Sequence, residues 1–218
     1  MADHIKERQV HSRYLESCRK RGFDVAVSLL LLPAAIVLML VIAVWILFRD
    51  GRPVFFAHRR IGKQGRSFLM LKFRTLKNNV NPYEQSPVSK EDPRVTDTGR
   101  SLRLHRLDEL PQILSVIRGT MSLIGPRPEL PNIVATYTPS QRKRLLVRPG
   151  LTGLWQVLGN RNVPIHHQIK YDLFYLRKAS FRLDMTIMAM TIPFVLGFKF
   201  ADDTHENRLH ICNVSLQD

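Results

Sequence analysis

Cysteine is nearly absent from this chain of 218 residues. Its two cysteines, Cys18 and Cys212, lie near opposite ends without metal-ligand spacing, which excludes a disulfide framework and a cysteine-based zinc site. The sequence also lacks a Walker loop and a kinase signature, so nucleotide phosphates are not held in those ways. Neither a Gly-x-Ser-x-Gly nor a His-Glu-x-x-His motif is present, and no internal repeat is visible.

Acidic residues are also scarce, because 18 Asp and Glu stand against 33 Lys and Arg and leave a formal charge of +15. Such a surplus is typical of proteins that bind nucleic acid, anionic lipid or phosphorylated substrates. Nucleic acid is disfavoured, since the cations are interspersed with acids and no recognition motif appears. The length suits one domain with a proper core plus attachments.

What the chain does have is one long apolar run. From Val25 to Phe48 no residue carries a formal charge, and only Ser28 and Pro33 interrupt the apolar character. A straight helix of this length would measure about 36 Å, which exceeds a hydrocarbon core of about 30 Å. The run is too long for a signal peptide, and no small-residue cleavage pattern follows it. A membrane helix is therefore predicted.

The topology of this helix has two interpretations. Residues 1–22 contain six Lys or Arg and three acids, and residues 49–66 contain six and one, so both flanks are basic. Basic flanks mark the cytoplasmic side of a membrane. A hairpin kinked at Pro33, which enters and leaves the same leaflet, would satisfy both flanks. Sequence physics alone favours a single kinked span, because spanning helices tolerate proline well.

Two adjacent carboxylates, Asp108 and Glu109, stand where a helix should begin, because Pro111 is tolerable only in a first turn. The helix is indicated by apolar residues at helical spacing, namely Leu110, Ile113, Leu114 and Ile117. Gly119 follows as a stop. A helix N-terminus would keep Asp108 ionised and hold a phosphate beside it. That Asp108 merely caps the helix is an equally good interpretation of this stretch.

Several cations could surround these acids. Strands predicted at 53–57 and 67–75 form a hairpin, and the second strand places Lys72 and Arg74 on one face. That face is either a solvated surface or half of an anion site. Arg127 lies between two prolines that stiffen its backbone. A guanidinium held in this way suits bidentate phosphate binding, whereas the alternative is a rigid turn whose arginine points to water.

The remaining segments are predicted from turn and helix signals. Residues 77–99 form a loop, and 138–141 open a short helix through a capping box. Residues 151–157 form a strand or tight turn. A helix follows over 165–176, where Asp172 is expected to pair with a base on the same helix. The apolar run 185–198 is too short to span, so it packs on the core or, as the upstream anchor favours, lies in the membrane interface.

Several motifs resemble those of the bacterial sugar transferase family, in order and over roughly residues 15–200. They are Lys72-Phe-Arg-Thr75, Arg106-Leu-Asp-Glu-Leu-Pro-Gln112, Met121-Ser-Leu-Ile-Gly-Pro-Arg-Pro-Glu129, Val147-Arg-Pro-Gly-Leu-Thr-Gly153 and Trp155-Gln-Val157. These enzymes are monotopic phosphoglycosyl transferases that start glycan assembly on a polyprenyl phosphate. The chain is similar to the minimal form, which lacks extra amino-terminal membrane helices.

The resemblance implies a reaction. A UDP-sugar would give its sugar-1-phosphate to undecaprenyl phosphate and release UMP, as the first membrane step of exopolysaccharide, O-antigen, capsule, lipopolysaccharide or glycoprotein assembly. The first acid of the family's pair, here Asp108, would form the covalent phosphosugar intermediate. The second, Glu109, would help hold Mg²⁺.

The resemblance also implies further site residues. Those expected to bind phosphate or substrate are Lys72, Arg74, Arg103, Arg127 and Arg148. The family's entry to the membrane matches Lys20, Arg21 and Asp24, with Pro33 at the kink. This match favours the re-entrant hairpin over the span.

Together these expectations define the organisation of an α/β, mainly helical protein. Residues 1–22 form a basic cytoplasmic segment, 23–48 a kinked membrane-embedded helix, 49–200 a catalytic domain at the membrane interface and 201–218 a polar tail. The expected partners are the UDP-sugar, polyprenyl phosphate and the lipid bilayer, on the cytoplasmic face of a bacterial inner membrane. A non-catalytic membrane scaffold is the alternative, but it has no use for an acid pair beside rigid arginines.

The chain departs from the family at a few positions. Thr120 stands where the family usually has an aspartate, so that carboxylate is missing, and His105 and Arg106 replace a small polar pair. Sugar choice is expected to depend on residues 77–99 and 158–170. The sequence does not identify the sugar, and it leaves self-association through the apolar run open.

Overall fold

The computed structural model describes residues 11–78, 80, 92–159 and 163–195. These residues are mainly helical, with a small amount of β-structure, as predicted. The α-helices are α1 (Cys18–Arg49), α2 (Asp97–Leu104), α3 (Ile113–Arg118), α4 (Pro131–Ala135), α5 (Pro139–Arg142), α6 (Leu154–Leu158), α7 (Ile169–Lys178) and α8 (Phe181–Val195). The strands are β1 (Phe55–Ile61), β2 (Ser67–Phe73), β3 (Ser122–Ile124) and β4 (Gly150–Thr152). The predicted tail 201–218, most of the predicted 77–99 loop and part of the 158–170 segment lie outside the described residues.

The apolar run forms one uninterrupted helix. Helix α1 begins at Cys18, earlier than predicted, where the Ser17 side chain caps it, and it continues through Pro33 to Arg49. It is long and apolar enough to cross a membrane. Its buried residues recur every four or seven positions and so form one stripe along the helix. They are Lys20, Asp24, Ser28, Ala35, Ile42 and Ile46. The other sides of α1 expose a long apolar surface, which includes Leu30, Val37 and Phe48.

Both ends of α1 are bonded to the same folded part of the chain. At the N-terminal end, the buried Lys20 ammonium lies 2.9 Å from the Asp24 carboxylate and 2.7 Å from that of Asp184 on α8. Arg21 donates to the carbonyls of Val116 and Ile117, at the end of α3. At the other end, the Arg74 guanidinium donates to the carbonyls of Asp50 and Gly51. The two ends of the helix are therefore both fixed to the domain, while most of its middle is exposed.

The predicted β-hairpin is confirmed, although its first strand lies at Phe55–Ile61 and not at 53–57. Strands β1 and β2 pair antiparallel from Phe55 opposite Phe73 to Ile61 opposite Ser67. Gln64 and Gly65 adopt left-handed conformations in the turn, with φ of 57° and 73°. One face of the hairpin packs Phe73 against Ile42 and Ile46 of α1. The other face points toward the predicted acid pair.

In the main core, the C-terminal helices pack against a two-stranded parallel sheet of β3 and β4. The predicted strand or turn at 151–157 is only partly correct, because β4 ends at Thr152 and helix α6 follows. The predicted 165–176 helix begins as a 3₁₀ turn and becomes α7 at Ile169. Helix α8 packs on the core through Leu183 and Ile187, while Phe181 and Ile192 remain exposed. The part of the predicted 185–198 run beyond Val195 lies outside the described residues.

Candidate active site

The acid pair lies on a tight turn between two helices. Residues Leu107–Gln112 form a 3₁₀ helix that leads directly into α3, which ends at Gly119 as predicted. The residue before this turn is Arg106, which has a left-handed conformation with φ of 56° and provides no side-chain cap. Asp108 is inside the turn and does not cap it, so the capping interpretation is wrong. The turn buries both carboxylates, each of which is 8% exposed.

Glu109 is held by two cations. The Lys72 ammonium lies 2.6 Å from Glu109 Oε1, and the Arg127 guanidinium donates to Oε1 at 2.5 Å and to Oε2 at 3.1 Å. Burial alone would raise the pKa of Glu109, but the charges and hydrogen bonds of Arg127 and Lys72 outweigh it and hold the pKa well below its usual range. Glu109 is therefore a fixed carboxylate. Lys72 does not face solvent, and Arg127 does not point to water.

Asp108 has a different environment. No described residue donates a hydrogen bond to its carboxylate, although Lys72, Arg103 and Arg127 are close enough to act on it electrostatically. Burial raises the pKa of Asp108, the neighbouring Glu109 charge adds to the rise, and the cations only partly oppose it. This rise is opposite in direction to the effect that a helix N-terminus alone would have on a carboxyl group. Within the part of the chain that the structure describes, its oxygens are not committed to hydrogen-bond donors.

Arg103 completes the surroundings of Asp108. Its Nε donates to the Thr75 hydroxyl at 2.8 Å, which ties helix α2 to the end of β2. Burial lowers the pKa of Arg103, whereas the nearby Asp108 charge raises it. The close approach depends on Gly99, because a Cβ atom there would overlap the Thr75 carbonyl oxygen. The predicted 77–99 loop accordingly ends earlier, at Thr96, where α2 is capped.

Two predicted phosphate ligands lie elsewhere. The Arg74 side chain is buried and bonds to backbone carbonyls after the end of α1, so it closes that helix and does not reach the acids. Continued alternation would have kept Arg74 on the same face as Lys72, but β2 ends at Phe73, and the Arg74 side chain bonds to the segment after α1 instead. Arg148 donates from Nε to the Gly119 carbonyl, at the opposite end of the helical segment that begins with the acid pair. The contacts of both arginines are to backbone carbonyls and not to the acid pair, and their binding of phosphate stays a prediction.

The structure brings in residues that the sequence did not indicate. Arg144 is 2% exposed and donates to the Arg127 carbonyl at 2.9 Å, so it fixes the backbone of the residue that grips Glu109. It also pairs with Glu129 and Asp172, each at 2.7 Å. Asp172 thus pairs with a residue on a distant segment and not with a base on its own helix. No spacing in the sequence connects these positions.

His58 is a second residue of this kind. It lies on the same hairpin face as Met70, its partner across the strands, and its Nε2 accepts a hydrogen bond from Arg60 at 2.5 Å. Burial, followed by the charges of Arg60 and Lys72, lowers the pKa of His58 to about 3. The imidazole is therefore neutral. It adds no further positive charge beside the two cations that hold Glu109.

A divalent cation would depend on the acid pair. Among the described ranges, no three His, Cys, Asp or Glu side chains come together. The cation would therefore take Asp108, Glu109 and oxygens of a substrate, and this is a donor set that Mg²⁺ accepts. A carboxylate offers about four lone-pair directions. Lys72 and Arg127 occupy three of those of Glu109, whereas those of Asp108 are open, so the residues present fit the ion.

Thr120, which replaces the usual family aspartate, is an exposed residue whose hydroxyl donates to the Ser115 carbonyl at the end of α3. It makes no contact with the acid pair. Arg106, another departure from the family, donates to the Gln156 carbonyl at 3.1 Å and so connects the acid-bearing turn to α6.

Comparison with known proteins gives consistent matches. A profile described as "Bacterial sugar transferase" matches residues 15–198, close to the predicted extent. The exopolysaccharide production protein ExoY of Sinorhizobium fredii is 40% identical over 191 residues, which cover 81% of this chain and 84% of that protein.

Two longer relatives also match. The undecaprenyl-phosphate galactose phosphotransferase of Salmonella typhimurium is 35% identical over 201 residues, 85% of this chain and 41% of the relative. The UDP-N-acetylgalactosamine-undecaprenyl-phosphate N-acetylgalactosaminephosphotransferase of Aeromonas hydrophila is 35% identical over 206 residues, 90% of this chain and 49% of the relative. The chain spans less than half the length of these two proteins.

Replacement of Asp108 by asparagine is predicted to stabilise the fold at neutral pH. Because burial raises the pKa of Asp108 above its ordinary value of 3.8, the folded protein loses stability as pH rises from that value through the raised one. Asp108→Asn removes this loss, so thermal unfolding at neutral pH should occur at a higher temperature than in the wild type. The difference should shrink at pH 4. Asp97→Asn, at an exposed position of α2, is the matched control, and a less stable Asp108→Asn protein at neutral pH would contradict the prediction.

Proposed function

The chain belongs to the bacterial sugar transferase family and is a phosphoglycosyl transferase, and we propose that it transfers sugar-1-phosphate from a UDP-sugar to undecaprenyl phosphate with release of UMP. The observation that carries this proposal is the difference in hydrogen-bond partners between the two acids. Glu109 is held by Arg127 and Lys72, while the Asp108 carboxylate has no hydrogen-bond donor among the described residues. One acid is fixed and its neighbour is available.

The names of the relatives agree on the lipid acceptor but differ in the sugar that is transferred. Undecaprenyl phosphate appears in the names of both the Salmonella and the Aeromonas proteins, whereas one name specifies galactose and the other N-acetylgalactosamine. We therefore carry over the lipid phosphate and the nucleotide sugar as classes of substrate. The particular sugar is not carried over.

The proposed chemistry has two displacements at one phosphorus atom. A carboxylate oxygen of Asp108 attacks the phosphorus that bears the sugar, the bond from that phosphorus to the bridging oxygen breaks, and UMP leaves with the electron pair. A phosphate oxygen of undecaprenyl phosphate then attacks the same phosphorus. The bond to Asp108 breaks, the carboxylate is restored, and the product is a lipid diphosphate that carries the sugar. Covalent catalysis of this kind divides one difficult transfer into two steps.

The cations around the pair support such a reaction electrostatically. Lys72, Arg103 and Arg127 act on Asp108 from nearby positions, and positive charge stabilises the oxygens of a phosphoryl transition state. Bound Mg²⁺, which Asp108, Glu109 and substrate oxygens would hold, would supply further neutralisation of phosphate charge. Burial raises the pKa of Asp108, and the same three cations oppose that rise and so favour its ionised, attacking form.

The long helix supports a membrane site for this reaction. The buried stripe of α1 extends over nearly its whole length and both ends are bonded to the domain, so a helix standing upright across a bilayer would draw the domain into the hydrocarbon. We therefore favour insertion into one leaflet, with entry and exit on the same side. This arrangement would hold the acids beside a lipid phosphate, on the cytoplasmic face of the inner membrane where nucleotide sugars are found.

A non-catalytic scaffold remains the second candidate, because an apolar helix and basic flanks would serve it equally well. It gives no reason to bury two adjacent carboxylates. Burying a charge costs free energy unless the charge is paired, and here Lys72 and Arg127 are both required to hold Glu109 alone.

Loss of the Asp108 carboxylate should abolish transfer. The assay follows label from UDP-sugars to undecaprenyl phosphate, with Asp108→Asn compared to the exposed Asp97→Asn control. The wild type and Asp97→Asn should transfer equally. Asp108→Asn should be slower by about a thousandfold or more, as is usual when a nucleophile is removed. Full turnover by Asp108→Asn would remove this residue as the nucleophile, and no transfer by the wild type to any polyprenyl phosphate would favour the scaffold.

Glu109→Gln tests the proposed magnesium site. The substitution removes a charge but keeps the shape of the side chain, so transfer should fall and any residual activity should need more Mg²⁺. The measurement is a Mg²⁺ titration of initial rates. Glu16→Gln, at an exposed position in the N-terminal 3₁₀ turn, is the control and should follow the wild type. A wild-type magnesium response in Glu109→Gln would count against the role of Glu109.

A further inference from the structure

The hairpin has an outer face that is apolar and yet exposed. Side chains alternate along a strand, so every second residue of each strand shares a face. The outer face consists of Phe55, Ala57, Arg59 and Ile61 on β1 and Ser67, Leu69, Leu71 and Phe73 on β2. Six of these eight residues are apolar, and Phe55 and Leu69 are 42% and 63% exposed. A strand face in water is normally polar, so this face has the composition of a covered one.

The opposite face of the same hairpin is already in use. It carries His58, Met70 and Lys72, all of which point into the domain, and Lys72 reaches Glu109. Because side chains alternate between the two faces of a strand, this register places the residues of the outer face on the side away from the acid pair. The hairpin cannot turn its apolar outer face inward without withdrawing Lys72 from the acid pair.

The outer face is continuous with the apolar surface of α1. Phe55 stacks on Phe73 with ring centroids 5.0 Å apart, and Phe73 packs against Ile42 and Ile46 of the helix. The cross-strand pair Phe55 and Phe73 is thus in contact with α1, and the other pairs of the outer face extend along the hairpin away from this contact. The apolar outer face of the hairpin therefore adjoins α1, whose other sides expose Leu30, Val37 and Phe48.

We propose that the outer face of the hairpin is a second lipid-contacting surface, which lies at the boundary between headgroups and acyl chains while α1 enters the leaflet. The proposal rests on the membrane insertion of α1 proposed above. Phe55 and Leu69 contact the acyl chains, and Arg59, which is exposed among them, extends its guanidinium to anionic headgroups. The occupant is the bilayer itself and not a second copy of the chain.

The lipid contact of the hairpin determines how far the acid pair lies from the membrane. Lys72 lies on the inner face of the strand whose outer face meets the lipid. The hairpin therefore separates the acid pair from the acyl chains by the thickness of one sheet. It sets the depth of the site at the level where the phosphate of a polyprenyl acceptor lies.

The test uses the full chain with Cys18→Ser and Cys212→Ser and one new cysteine that carries a fluorophore. The protein is reconstituted with phosphatidylethanolamine and phosphatidylglycerol, with or without bromine on the acyl chains as a contact quencher. Leu69→Cys reports on the outer face, Val37→Cys on the exposed side of α1, and Ser140→Cys on an exposed position of α5. Each labelled protein must retain transfer activity.

Brominated lipid should reduce the Leu69→Cys signal to about half or less, since interfacial segments enter the headgroup boundary by about 5–10 Å. It should quench Val37→Cys at least as strongly and leave Ser140→Cys unchanged. Quenching at position 37 without quenching at 69 would overturn the second contact and leave the insertion of α1 intact. No quenching at either position would overturn both. Energy transfer between position-69 labels on different chains, without quenching, would overturn the lipid contact in favour of self-association.

Discussion

The site depends on the pairing of one carboxylate with two cations. Two neighbouring acids buried in the same turn repel each other, and neither tolerates burial unpaired. Arg127 and Lys72 both bond to Glu109, so its charge is compensated and its pKa is depressed. Asp108 receives only their longer-range attraction, and its pKa is raised. The unequal division makes one acid structural and leaves its neighbour chemically available.

Much of the remaining structure positions these two cations. The β-hairpin presents Lys72 on its inner face, and the buried Arg144 holds the carbonyl of Arg127 through a network that includes Glu129 and Asp172. Removal of one member of a buried ionic network leaves the others uncompensated, which is far more costly than the loss of a surface pair. The outer side of the same hairpin packs against the membrane helix. The same hairpin therefore contacts α1 on one face and the acid pair on the other.

Local features of this structure could be predicted from sequence, and long-range ones could not. The hairpin, the long apolar helix, the stop at Gly119 and the capping box at Thr138 all depend on residues within one or two turns of each other. Motifs also indicated that Lys72, Glu109 and Arg127 belong to one site. The carbonyl partners of Arg74 and Arg148 could not be predicted, because a cation's partner is set by tertiary packing, here against backbone at helix ends. The pairing of Arg144 with Asp172 and the raised pKa of Asp108 likewise arise only after burial.

The most direct measurement is intact and peptide mass spectrometry of the purified protein, quenched in acid after incubation with UDP-sugars and Mg²⁺ but no lipid acceptor. If Asp108 is the nucleophile, the protein should gain the mass of a sugar phosphate on the peptide that contains this residue. UMP should appear in equal amount, and addition of undecaprenyl phosphate should remove the adduct. Transfer to the lipid at full rate, with no adduct at any time and no UMP before the acceptor is added, would contradict the covalent mechanism.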